Sequence, residues 1–296
     1  MINFENVSKY TLSDITLNIP KGEIVGVIGA SGAGKTTLIK LVCGLLAPDS
    51  GQVWTLGKEP VKYRRKYASD ISTFIVGIPM LNKEDTVFQG FETIATIYGL
   101  SGEYFRQRYS VLSEKLGFTE LSESRVKDLS LGQKMRAELG AALLYEPKLL
   151  LLDEPNVGLD ENGKSALCDT LKQGTYSGMT VLLTSHDMAS VSSICTRLAI
   201  LDGWKLVFYG SLDNLRSRYL PINTMTVNFN GRVPDLDDLP LRKYSLEGNS
   251  IKLEYNSNHI TAAEITALIL KQTEITEIGI HKPDLEELIM QIRGEK

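Results

Sequence analysis

Glu23-Ile24-Val25-Gly26-Val27-Ile28-Gly29-Ala30-Ser31-Gly32-Ala33-Gly34-Lys35-Thr36-Thr37-Leu38-Ile39 is the stretch on which the fold turns. Its first six residues read as a buried strand. Gly29 and Gly34 follow with four residues between them, then Lys35 and the hydroxyl residue Thr36, which is the phosphate-loop spacing. From Thr37 to Leu46 the spacing is helical. Strand, glycine loop and helix together place successive backbone N–H groups in one concavity at a helix N-terminus, where an anion is favoured. Lys35 is then a point charge for the β- and γ-phosphates of a nucleotide, and the Thr36 hydroxyl a ligand for Mg²⁺.

Working outward, two further apolar runs, Leu149–Leu152 and Thr180–Thr184, read as strands covered on both faces, as in a parallel sheet. Residues 1–20 read as short alternating strands with Ile15, Leu17 and Ile19 on one face, and Gln52–Trp54 as another short strand. From about 82 to 144 the pattern is helical and charge-rich, an insertion in an α/β core. Beyond Ile222 come the strands Thr224–Phe229, Tyr244–Leu246, Ile251–Tyr255 and Thr276–Ile280, with helices at Thr261–Lys271 and Pro283–Ile292. The expected organisation is a core domain over 1–220 and a small α+β domain over 221–296, divided near Pro221.

Composition narrows the class. The chain has 296 residues, 43% of them hydrophobic and 23% charged, with a net charge of −4. No basic excess marks a nucleic-acid partner. Cys43, Cys168 and Cys195 are scattered, without metal-ligand spacing, and suggest a reducing compartment. No uninterrupted apolar run is long enough to cross a bilayer, and the N-terminus lacks a basic and apolar leader pattern.

Leu149-Leu150-Leu151-Leu152-Asp153-Glu154-Pro155 ends a buried strand in two acids. Asp153 can reach a metal on the phosphates, as a Walker B aspartate does. Glu154, on the other side of the strand, can polarise a water for in-line attack. Leu129-Ser130-Leu131-Gly132-Gln133 precedes a helix that Ser130 is placed to cap.

With these motifs in this order, residues 1–215 resemble the nucleotide-binding subunit of an ATP-binding-cassette (ABC) transporter. The family's signature is Leu-Ser-Gly-Gly-Gln, and Leu131 departs from it at the third position. The resemblance implies a P-loop ATPase core with an antiparallel β subdomain and a helical insertion, binding ATP and Mg²⁺. The nucleotide contacts it implies are Tyr10, stacked on adenine, and Gly29, Ala30, Ser31, Gly32, Ala33, Gly34, Lys35, Thr36 and Thr37. Thr36 and Asp153 hold the metal. Glu154 and His186 are catalytic, His186 belonging to Thr184-Ser185-His186-Asp187. The resemblance also implies that Ser130, Leu131, Gly132 and Gln133 act in trans on the nucleotide of a second subunit and that Asp160 belongs to a loop at the dimer interface.

The partners implied are a second copy of the subunit and a separate membrane permease that holds the pair at the cytoplasmic face. Phe88, Phe91, Ile94 and Tyr98, on one helical face, are expected to line a docking groove or to form the core of the insertion. Leu129–Leu139 and the tail Lys282-Pro283-Asp284-Leu285-Glu286 are similar to exporter subunits that pair with a six-helix permease, the ABC-2 type. The alternative is a non-transport or weakly hydrolysing cassette ATPase that acts as a regulatory or binding module. One family element is missing: the loop Phe74–Leu81 carries no glutamine, and Gln89 falls too far along. Weak metal contact through this loop, and slow hydrolysis without the partner, are expected.

Overall fold

The structure, a computed structural model, describes residues 1–75, 77–186, 188–219, 222–237 and 239–281. The tail motif, the final helix at Pro283–Ile292, Asp187 and Pro221 lie outside the described residues. The chain divides into two units, Met1–Gly210 and the part from Ser211 onward. The helix Leu212–Tyr219, counted with the core in the sequence reading, goes with the second unit in this division.

Two sheets build the first unit. The strands β1 (Ile2–Lys9), β2 (Leu12–Ile19) and, after the helix α1 (Lys35–Val42), β4 (Ser50–Thr55) form an antiparallel sheet in the order β2-β1-β4. Ile15, Leu17 and Ile19 are buried on its inner face. The second sheet takes β3 (Ile24–Ile28), then, past the short helix α2 (Pro60–Tyr63), β5 (Ile71–Ile75), β6 (Leu149–Asp153), β7 (Thr180–Ser185), β8 (Arg197–Asp202) and β9 (Lys205–Ser211). Its order is β5-β6-β7-β3-β8-β9, and the first four of these pairings are parallel.

The continuous apolar runs have the expected cause. All five residues of β3 and of β6 and all six of β7 are buried, because this sheet is covered on both faces. Full burial contributes about 1.5–3 kcal/mol for each of Leu149, Leu150, Leu151 and Leu152. The register brings strand ends together: Ile75 pairs with Asp153, Asp153 with Thr184, and Ile28 with Ser185. Ligands of open α/β sheets bind outside such carboxyl ends.

Between β5 and β6 stand the helices α3 (Val87–Ile97), α4 (Gly102–Lys115) and α5 (Leu131–Leu143). Their apolar faces meet in an aromatic cluster. Phe91 packs edge-on to Tyr109 at 5.0 Å, and Phe88 to Tyr109 at 5.1 Å. Phe91 and Ile94 are buried, Phe88 half-buried, and Tyr98 stacks on Tyr145 at 3.7 Å. These side chains form the core of the helical insertion. Phe88 and Tyr98 keep part of their surface exposed, and Tyr98 also lines a pocket with Cys43, Tyr67 and Ile71. After β6 come α6 (Glu161–Tyr176) and, between β7 and β8, α7 (Met188–Ile194). Among the described residues no helix is long and apolar enough to cross a membrane.

The second unit holds α8 (Leu212–Tyr219), β10 (Ile222–Asn230), β11 (Leu241–Glu247), β12 (Ser250–Asn256), α9 (Ala262–Leu270) and β13 (Glu274–His281). The strands form an antiparallel sheet, β11-β12-β10-β13. Alternate residues Met225, Val227 and Phe229 of β10 bury against Ile265 and Ile269 of α9, which a Thr261–Glu264 capping box starts. It is the α+β domain expected from the strand pattern.

Candidate active site

The glycine loop runs from the end of β3 into α1. Gly34 is the N-cap at φ 97°, and a Cβ there would stand 2.5 Å from Leu12 Cδ2, so both backbone angle and space exclude a side chain. Leu12 thus lies over the loop, two residues beyond Tyr10. Tyr10 itself is 70% exposed on the β1–β2 turn, at φ 53°. Its N–H donates to Asp49 Oδ2 at 3.2 Å, and Lys9 Nζ sits 4.8 Å from its ring centroid while bonding Asp49 at 2.7 Å. Lys9 holds the Asp49 carboxyl below the usual carboxylate range. An aromatic face held out to solvent is available for stacking.

Lys35 is buried, so its ammonium needs partners. It donates to Gly29 O at 2.9 Å and Ala30 O at 3.3 Å, and lies 3.5 Å from Glu154 Oε1. The other Glu154 oxygen, Oε2, is 2.8 Å from His186 Nδ1. One carboxylate therefore bridges the loop lysine and the histidine at the end of β7. Its backbone is strained to do so: Glu154 has φ 51°, a left-handed conformation costing a non-glycine residue about 1–3 kcal/mol. Its N–H donates to Thr184, to Oγ1 at 3.0 Å and to the carbonyl at 3.2 Å, which fixes the turn.

Asp153 is buried between two hydroxyls. Thr36 Oγ1 donates to its Oδ2 at 2.7 Å and Thr184 Oγ1 to its Oδ1 at 2.5 Å. Thr184 thus joins both acids, accepting from one and donating to the other. Sequence reasoning gave it no role, although a hydroxyl at the end of a buried strand was a visible signal. The structure places Lys35 and Thr36 of α1 together with Asp153, Glu154 and His186 at the ends of β6 and β7.

The signature segment stands apart from this group in its bonding. Ser130 is the N-cap of α5 and makes a full capping box, accepting from Gln133 N at 3.3 Å while Gln133 Oε1 accepts from Ser130 N at 2.9 Å. Leu131, first in the helix, is 55% exposed. A Cβ on Gly132 would meet Gly158 O at 2.6 Å, so the start of α5 seats closely on the loop that leaves Glu154. Asp160 caps α6, its Oδ1 accepting from Gly163 N at 2.8 Å. Gln89 is likewise committed, capping α3 with Thr86.

Sequence reasoning also missed Glu138. Buried in α5, it accepts from Met80 N at 2.8 Å and Leu81 N at 3.3 Å. Burial pushes its carboxyl up, against the pull of those two N–H groups.

Residues 12–157 match the profile of the ABC transporter family. The methionine import ATP-binding protein MetN of Clostridium acetobutylicum is 31% identical over 90% of this chain and 84% of its own length. The linearmycin resistance ATP-binding protein LnrL of Bacillus subtilis is 28% identical, covering 99% and 98%. The Nod factor export ATP-binding protein I of Rhizobium etli is 27% identical, covering 100% and 94%. A solved ATP-binding subunit of an ABC transporter superposes with a TM-score of 0.68 at 28% identity, over 74% of this chain and 92% of that one. The chain belongs to the ABC transporter family, and its first unit is that family's ATP-binding cassette.

Proposed function

We propose that this protein hydrolyses ATP to drive export through a separate membrane permease, working as a pair of identical subunits at the cytoplasmic face. The observation that carries the reading is the Glu154 carboxylate held between Lys35 and His186, beside the Thr36–Asp153 pair. A triphosphate entering the glycine loop competes with Glu154 for the Lys35 ammonium. Released from that ion pair, Glu154 keeps His186 and is free to take a proton from water. The loop N–H groups and the α1 N-terminus take the phosphate charge.

The same residues fit a divalent ion. Thr36 Oγ1 and Asp153 Oδ2 are two hard oxygens already 2.7 Å apart, and they would hold Mg²⁺, whose charge neutralises the phosphates. Thr184 holds the far oxygen of Asp153 and so orients it. Tyr10 stacks on the adenine, which contributes about 1–3 kcal/mol.

Ser130, Leu131, Gly132 and Gln133 serve the nucleotide of the second copy. The physical reason is the helix start: α5 offers N–H groups and a positive dipole end to an anion. Asp160 and the Gly158 loop meet the partner alongside. Export is favoured by similarity over 99–100% of the chain to a resistance subunit and to an export subunit, whereas the methionine import subunit, at 31% identity, is matched over 90%. Purification from detergent-solubilised membranes tests this assignment. A polytopic membrane protein is expected to come with the chain; ribosomes or DNA in its place would refute a transport role.

The loop without glutamine makes a further expectation. Gly77 has φ 87°, so glutamine there carries left-handed strain of roughly 1 kcal/mol, whereas Ile78 is exposed and free of it. Ile78→Gln, with Gly77→Gln beside it, is expected to lower the Mg²⁺ needed for half-maximal turnover by about tenfold. Unchanged Mg²⁺ titrations in both variants would show that this loop does not limit the metal.

A further inference from the structure

The loop that replaces the glutamine is tied at both ends. On the core side it leaves β5, whose last residue Ile75 pairs in register with Asp153, and Ile78 N donates to Ile75 O at 2.9 Å. On the helical side Leu81 is buried against Gly90 of α3, where a Cβ would approach its Cδ2 to 2.8 Å. Between these anchors the Met80 and Leu81 N–H groups both end on Glu138, one on each carboxylate oxygen. Glu138 is 4% exposed and lies eight residues beyond Ser130 on the same helix, roughly 12 Å along its axis.

A buried carboxylate is an expensive way to fill a helix face when an alanine would pack there. What it provides is a directional link that an apolar residue lacks. We infer that Glu138 is a positioning residue: it makes the loop 78–81 and the signature helix α5 move as one piece, so that a change at Asp153 reaches Ser130 through β5, the loop and Glu138. This inference rests on the ATP reading above. It gives the chain a mechanical connection between its nucleotide contacts and its helical insertion that needs no glutamine at position 77 or 78. Only a two-oxygen acceptor completes it. Glutamine at 138 keeps one acceptor oxygen and turns an NH₂ toward the other backbone N–H.

Hydrogen–deuterium exchange on the full chain, with and without MgATP, tests it. In the wild type, segments 29–36, 78–82 and 130–138 are expected to slow together on adding MgATP. In Glu138→Gln, which keeps the side-chain volume, 29–36 still slows while 78–82 no longer follows. Turnover falls about tenfold, with KM for ATP within about twofold of wild type. Glu138→Asp, which keeps the charge but withdraws it by one methylene, gives the same readout should the glutamine variant fail to fold. Slowing of 78–82 to the wild-type extent in a folded variant at 138 overturns the inference and leaves the ATP reading standing. Absence of any response at 29–36 in the wild type overturns both.

Discussion

Glu154→Gln is expected to abolish turnover and to lock the protein as a dimer on a sizing column in MgATP. Removing a general base costs about 10²–10⁴-fold in rate. Two features of the site make the variant hold nucleotide rather than lose it. The amide keeps an oxygen for His186, whose Nδ1 stands 2.8 Å from the native carboxylate. The substitution also removes a negative charge lying 3.5 Å from Lys35, so no carboxylate competes with the phosphates for the ammonium. Binding without cleavage leaves the closed pair with no means of reopening. The check is sizing chromatography with light scattering, in ATP and then in ADP. A monomer in both, with hydrolysis lost, would separate catalysis from pairing and remove the second copy from the account.

Lys35→Ala is expected to weaken ATP binding by roughly 10–150-fold, the range set by one lost hydrogen bond to a charged group at about 1.5–3 kcal/mol. The local geometry pushes toward the upper end. Lys35 also neutralises Glu154, which in the variant faces any incoming phosphate as an uncompensated carboxylate. The double variant Lys35→Ala with Glu154→Gln should therefore recover part of the affinity, since it removes that repulsion. Titration calorimetry or a fluorescent ATP analogue measures both. Equal affinity for wild type and Lys35→Ala would mean that the glycine loop holds something other than a triphosphate.

The parts of this site that were legible in the sequence are those whose geometry is local. Gly29–Thr36 lies on a strand, a turn and a helix that follow one another, so spacing alone fixes where Lys35 and Thr36 point. Asp153, Glu154 and His186 sit at the ends of continuous apolar runs, which announce buried parallel strands. Thr184 and Glu138 escaped because their partners are remote: Thr184 meets Asp153 across β6 and β7, and Glu138 reaches back to Met80 and Leu81. Nothing in a helical stretch rich in charge distinguishes a buried glutamate from a solvated one. Phe88, Phe91, Ile94 and Tyr98 show the same limit from the other side. Helical period identified their common face, but not that Tyr109, Phe105 and Tyr145 would cover it. The long helix α6 gave little signal, as Gly163 and Gly174 interrupt it, and its start depends on the Asp160 cap.

ATP-driven pairing depends most on where the second contact to the phosphates comes from. A crystal structure of Glu154→Gln grown with ATP decides it. The expected result is a triphosphate held by Lys35 of one protomer and met by Ser130 of the other. A closed structure in which one polypeptide alone supplies every contact to the nucleotide, or one with no nucleotide in the glycine loop, would contradict it.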